Sequence, residues 1–149
     1  MRINSLILTN FRNHAKLELA FEHSTTLIQG INGSGKTNIL EAIHLLSTTK
    51  SVRSEYDSET IMHTKDFCRL EAQTDSGEDS KRLELIIKKS STLDNTSSKT
   101  VKINGVAKAL HRFAGTMTSV LFSPDEITIL TGSPSMRRRY IDSILYQID

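Results

Sequence analysis

Polar and apolar residues alternate through RINSLILTNF, and LELAF and TTLIQG follow after short polar gaps, so the period-two pattern predicts three strands before residue 30. The period then changes. From Lys36 to about Ser47, KTNILEAIHLLS carries apolar side chains at 39, 40, 42, 43, 45 and 46, a stripe too wide for a surface helix and suited to one packed between layers. Residues 48 to 66 are polar and nearly aperiodic, which predicts a loop with one helical turn around Ser58 to Met62. FCRLEAQT and KRLELIIKK alternate again on either side of the turn-rich DSGEDS, SSTLDNTSS reads as a surface loop before KTVKI, and Asn104-Gly105 is a hairpin signal leading into VAKAL. Residues of about 67–108 therefore form a β-rich antiparallel insertion.

MTSVLF, at 117–122, predicts a last apolar strand, and two helix starts follow it. Ser123 and Pro124 open the first, with Asp125 and Glu126 in its first turn, and Ser133 and Pro134 open the second. Tyr140, Ile141, Ile144, Leu145 and Ile148 give that second helix an apolar stripe. No glycine or proline closes it before Asp149, which carries the expectation of a longer protein cut here.

Between the third predicted strand and the buried helix stands GINGSGKT, residues 30–37. Gly30, Gly35, Lys36 and Thr37 have the G-x-x-x-x-G-K-[ST] spacing of a phosphate-binding loop, and Gly33 adds backbone freedom. Glycines permit the positive φ angles by which successive N–H groups surround phosphates, while the helix that follows turns its positive end toward the same charge. Lys36 is placed to reach the β and γ phosphates of ATP, and the Thr37 hydroxyl to hold Mg²⁺. Ile31, Asn32, Ser34 and Asn38 complete the candidate nucleotide site. Hydrolysis needs an acid at the end of an apolar strand as well, and the only candidate is VLFSPDE, where Ser-Pro intervenes and helix capping already accounts for Asp125 and Glu126.

Composition narrows the setting. At 149 residues with 37% hydrophobic positions the chain fits one domain, and its formal charge of +2 is too mild to declare a nucleic-acid partner by itself. The single cysteine, Cys68, lies in an alternating run and reads as a buried strand thiol in a reducing compartment. No apolar run approaches the ~20 residues that span a bilayer, so the expectation is a cytoplasmic protein without a membrane partner. His14, His23, His44, His63 and His111 show no metal-ligand spacing.

Four blocks, LTNFRNH, GINGSGKTNILEAIHLLSTTKSVR, KINGV and VLFSPDEITILTGSPSMRRRYID, make the chain resemble the amino-terminal part of the RecF family, bacterial DNA repair and replication ATPases related to SMC and ABC ATPases. The likeness spans nearly the whole sequence. It implies an α/β fold, the first lobe of an ABC/SMC-like P-loop NTPase head, with a mixed sheet, a buried P-loop helix and the β-rich insertion. Residues 1–132 would be nucleotide-binding lobe I and 133–149 the start of a helical lobe II. It also implies that Arg12 and Asn13 lie beside the nucleotide, with Arg53 of TKSVR a further candidate. Read from the residues alone, Arg12 could equally be a solvated edge residue. ABC relatives have a glutamine near FSPDEI; this sequence has none there.

The same resemblance implies an ATP-dependent homodimer acting with recombination mediator proteins on gapped DNA or single-strand/double-strand junctions, in repair, replication and the SOS response. The full-length protein would then be a slow DNA-dependent ATPase. The serine-glycine signature and the late acidic strand of such enzymes do not occur in these residues, so this part is expected to bind ATP without efficient hydrolysis. The alternatives are another SMC-like or ABC-type head and a P-loop kinase of small molecules. Lys81, Arg82, Lys88, Lys89, Lys99, Lys102 and Lys108 make the insertion basic, but Glu78, Asp79 and Glu84 are interleaved, and a solvated face is the default there. Arg137, Arg138 and Arg139 spread over most of a helix turn and are read as packing and ion pairing.

Overall fold

A computed structural model describes residues 1–77, 79–90, 96–123 and 132–148. Its centre is one six-stranded sheet in the order β2-β1-β3-β4-β5-β6, in which every pairing is antiparallel. The strands are β1 (Arg2–Phe11), β2 (His14–Ala20), β3 (Phe67–Ser76), β4 (Asp79–Lys89), β5 (Ser97–Ile103) and β6 (Val106–Lys108). The β-rich insertion is therefore not a sheet of its own, because β3 pairs directly with β1 and carries the ladder on. The helices are α1 (Lys36–Thr48), the single turn α2 (Leu110–Phe113) and α3 (Pro134–Ile148), with a 3₁₀ turn at Asp57–Thr60 where the polar loop was expected to turn.

Alternation decides which face is buried. Leu6 and Leu8 of β1 pair with Ala72 and Leu70 of β3, which pair in turn with Leu83 and Leu85 of β4, and Leu85 faces Val101 of β5. All are buried, and α1 covers them with Ile39, Ala42, Leu45 and Leu46. Cys68 is buried opposite Ile87, and burial pushes its thiol up to about 11. On the opposite face Glu71 and Glu84 hold an ionic row: Arg69 lies 3.2 Å from Glu71 and 2.8 Å from Glu84, Arg82 pairs with Glu71, and Lys102 stands 3.3 Å from Glu84. The hairpin at Asn104 and Gly105 has φ of 52° and 80°, the two positive values that a type I′ turn requires.

Two predicted strands do not form. TTLIQG and MTSVLF run without a ladder partner among the described residues, and Leu27 is 78% exposed, Val120 96% and Phe122 81%. Propensity favours extended backbone there, but a strand is stabilised by paired neighbours, and among the described residues none lies alongside. The α3 stripe is likewise present yet turned outward, with Ile141 and Leu145 more than half exposed. The helix expected from Pro124, with Asp125 and Glu126, lies outside the described residues, as does Glu78. No helix among the described residues is long and apolar enough to cross a membrane.

Candidate functional site

The loop from Gly30 to Gly35 turns into α1 through two glycines in the left-handed region, Gly33 at φ 83° and Gly35 at φ 94°. α1 begins without a side-chain cap, so its first N–H groups look for an acceptor elsewhere. Ser34 donates weakly to Ile31 O at 3.3 Å, and Asn38 and Ile39 donate to Gly35 O at 2.9 and 3.2 Å. The N–H groups of Asn32, Gly33, Gly35, Lys36 and Thr37 have no acceptor among the described residues. A hollow of about 360 Å³ opens onto them, lined by Asn32, Gly33, Gly35, Lys36, Thr37, Asn38 and Arg53.

Lys36 folds over the loop. Its ammonium donates to Gly30 O and to Ile31 O, both at 2.8 Å, which leaves one of its three protons for a ligand. Thr37 is exposed in the first turn of α1, and its hydroxyl has no partner among the described residues. It can ligate a divalent cation that arrives with phosphate. No group of three or more His, Cys, Asp or Glu side chains able to hold a metal occurs among the described residues.

The turn joining β1 to β2 sits directly on this loop. Asn13 Nδ2 donates to Gly33 O at 3.1 Å, and Asn13 Oδ1 accepts from Asn38 Nδ2 at 2.8 Å. His14 Nε2 lies 3.2 Å from Gly35 O, and since a carbonyl can only accept, the ring donates. The packing is close: a Cβ on Gly35 would come within 2.4 Å of His14 Nε2 and 2.6 Å of Asn13 Oδ1.

Arg12 lies one residue away and turns from the loop toward α1. Its Nε and Nη2 meet Glu41 at 3.1 and 2.6 Å, Nη2 also donates to Ser54 Oγ, and Nη1 donates to Glu59 O at 2.8 Å. Glu41 is 1% exposed on the buried side of α1, where it also accepts from Ser51 Oγ at 2.6 Å. Arg53, half exposed, donates to Asn38 Oδ1 at 2.9 Å and stands 3.7 Å from Glu41. Arg12, Asn13, Asn38 and Arg53 share the wall of a larger neighbouring cavity of about 810 Å³ with Ile61 and His63.

The structure thus brings together Gly30–Asn38, Asn13 and Arg53, and places Arg12 behind them. Glu41 and His14 complete the arrangement without a sequence signal: one is an acid within an apolar helix, the other one of five scattered histidines. Arg137 and Arg138 are exposed, and Arg137 Nη1 donates to Gly132 O at 3.0 Å. The side chain of Arg139 lies outside the described residues, and so do Asp125 and Glu126.

Residues 2–128 match the family described as the RecF/RecN/SMC N terminal domain. The chain is 38% identical over 149 residues to the DNA replication and repair protein RecF of Bacillus thuringiensis strain Al Hakam, and this alignment takes in 99% of the chain but 38% of the relative. A solved structure described as the recombination mediator protein RecF-ATP in the RecFOR pathway superposes with a TM-score of 0.88 at 33% identity, covering 99% of this chain and 40% of that one. The SMC head domain from Thermotoga maritima shares the fold, with a TM-score of 0.60 at 24% identity over 78% of this chain. The chain spans well under half the length of the RecF relatives it matches.

Proposed function

The chain belongs to the RecF/RecN/SMC N terminal domain family, and from that premise we propose that it is the ATP-binding part of a RecF-like DNA replication and repair protein. Residues 1–132 make up the nucleotide-binding lobe and 133–149 begin a helical lobe. One observation carries the reading: five residues whose N–H groups have no acceptor among the described residues line one hollow, together with a lysine that has a proton to spare. Such a hollow is complementary to a chain of phosphates. Gly30, Ile31, Asn32, Gly33, Ser34, Gly35, Lys36, Thr37 and Asn38 grip the triphosphate, and Thr37 holds Mg²⁺ beside it. Asn13 supports the loop from outside, and Arg53 lines the hollow close enough to meet phosphate.

The wider activity belongs to the longer protein. Two ATP-loaded copies join head to head and engage gapped DNA or single-strand/double-strand junctions in the cytoplasm, together with recombination mediators, and slow DNA-dependent hydrolysis resets them. These 149 residues bind ATP and leave its turnover to groups outside them. The ionic row of Arg69, Arg82 and Lys102 with Glu71 and Glu84 argues against that sheet face as a primary DNA contact, because its cations already have partners. The deciding experiment is titration of Lys36→Ala with MgATP. Loss of binding by a factor of about 100, with the circular dichroism spectrum unchanged, is the expected result. A variant that binds like the wild type would sink the assignment.

A further inference from the structure

The phosphate loop works only if its N–H groups point inward, and a peptide unit can flip where glycines permit it. The Gly35–Lys36 peptide is held from behind. Because a trans peptide sets C=O and N–H on opposite sides, whatever holds Gly35 O also fixes the direction of Lys36 N–H, which has no acceptor of its own among the described residues. Gly35 O accepts from Asn38 N, Ile39 N and His14 Nε2. The first two anchors belong to α1 itself and lie within four residues of Gly35. His14 is different: it comes from β2, whose ladder to β1 includes Phe11 opposite His14. His14 therefore ties the loop's most important peptide to the rigid sheet, and its ring closes against Gly35 where no Cβ could fit.

We propose that His14 is a positioning residue for ATP binding, acting through Gly35 O to hold the Lys36 N–H toward the triphosphate. The inference rests on the phosphate-loop reading above. It requires a proton on Nε2, so the neutral ring must be the Nε2–H tautomer.

The test uses the full-length protein. His14→Phe keeps the ring and removes the donor, whereas His14→Gln replaces it with a side-chain N–H. The expected result is a roughly tenfold weaker ATP affinity for His14→Phe with an unchanged melting temperature, and recovery to within about threefold for His14→Gln. Wild-type affinity in His14→Phe, or an equal loss in both variants, would overturn the proposal. Nitrogen NMR of the wild-type histidines needs no variant: a neutral His14 protonated on Nδ1 instead of Nε2 would also overturn it. Lys36→Ala measured alongside separates the two ideas, since wild-type ATP affinity there removes the phosphate loop itself, whatever His14 does.

Discussion

Arg12 and Glu41 form a nearly enclosed ion pair, with Nη2 2.6 Å from Oε1, that fastens the β1–β2 turn to the buried side of α1. Family resemblance puts Arg12 beside the nucleotide, yet its nitrogens are already donated to Glu41, Ser54 and Glu59 O. Replacing it leaves a carboxylate buried with Ser51 and the more distant Arg53 for company. Arg12→Ala should cost about 3 kcal/mol in chemical denaturation, the low end for breaking a buried pair, because those two neighbours remain. A loss of ATP affinity with no loss of stability would instead place Arg12 on the nucleotide.

Gly33 and Gly35 both have positive φ, but only one is crowded. A Cβ on Gly33 meets nothing within 4 Å, whereas on Gly35 it collides with His14 and Asn13. Gly33→Ala should cost about 1 kcal/mol of backbone strain and retain measurable ATP binding. Gly35→Ala should abolish binding, as read by calorimetry, because the turn must be pushed off the loop.

His44 is buried where α1 meets the 117–123 segment, and burial lowers its pKa from the ordinary 6.5. Its neighbours fix the proton pattern. Ser47 Oγ donates to His44 O at 2.8 Å, so Ser119 must donate to Ser47 across 2.6 Å, and His44 Nδ1–H must then donate to Ser119 at 3.3 Å. The unfolded chain takes up a proton near pH 6.5 that the folded chain refuses until lower pH. Stability is therefore full above pH 6.5 and declines as the pH falls below it. His44→Gln should flatten that decline in melting experiments run from about pH 7 to pH 5.

Lys99 reaches from β5 to the end of α1, donating to Thr49 O at 2.5 Å while pairing with Asp57 at 2.7 Å. A cation on the last carbonyls of a helix favours both the orphan acceptor and the helix dipole. Lys99→Met should lower stability by about 1–2 kcal/mol, measured by urea unfolding, and leave ATP affinity unaltered.

The parts legible in sequence are those whose chemistry is contiguous. GINGSGKT declares itself because its glycine spacing and its lysine fall in neighbouring residues, and α1 declares itself by its apolar stripe. The sheet was legible strand by strand, down to the positive φ angles of Asn104 and Gly105. Its closure was not, since nothing in β3 says that it pairs with β1 across more than fifty residues. TTLIQG and MTSVLF mislead in the opposite direction: side-chain pattern reports a preference for extended backbone, and only neighbours make a ladder. Glu41 and His14 illustrate the same gap at the site, for each acquires its role from a partner distant in sequence, Arg12 for one and Gly35 for the other.

Glu41 also sets the electrical balance beside the loop. Lys36, Arg12 and Arg53 bring three cations to one corner of the molecule, and the buried Glu41 pairs with the two arginines. Arg12 is held close and from several sides, while Arg53 stands off at 3.7 Å and half in water. When an anion arrives, Arg53 can turn to it without leaving Glu41 alone. Glu41 thus serves two arginines with one carboxylate, and the more exposed of the two keeps charge to spare for an anion outside.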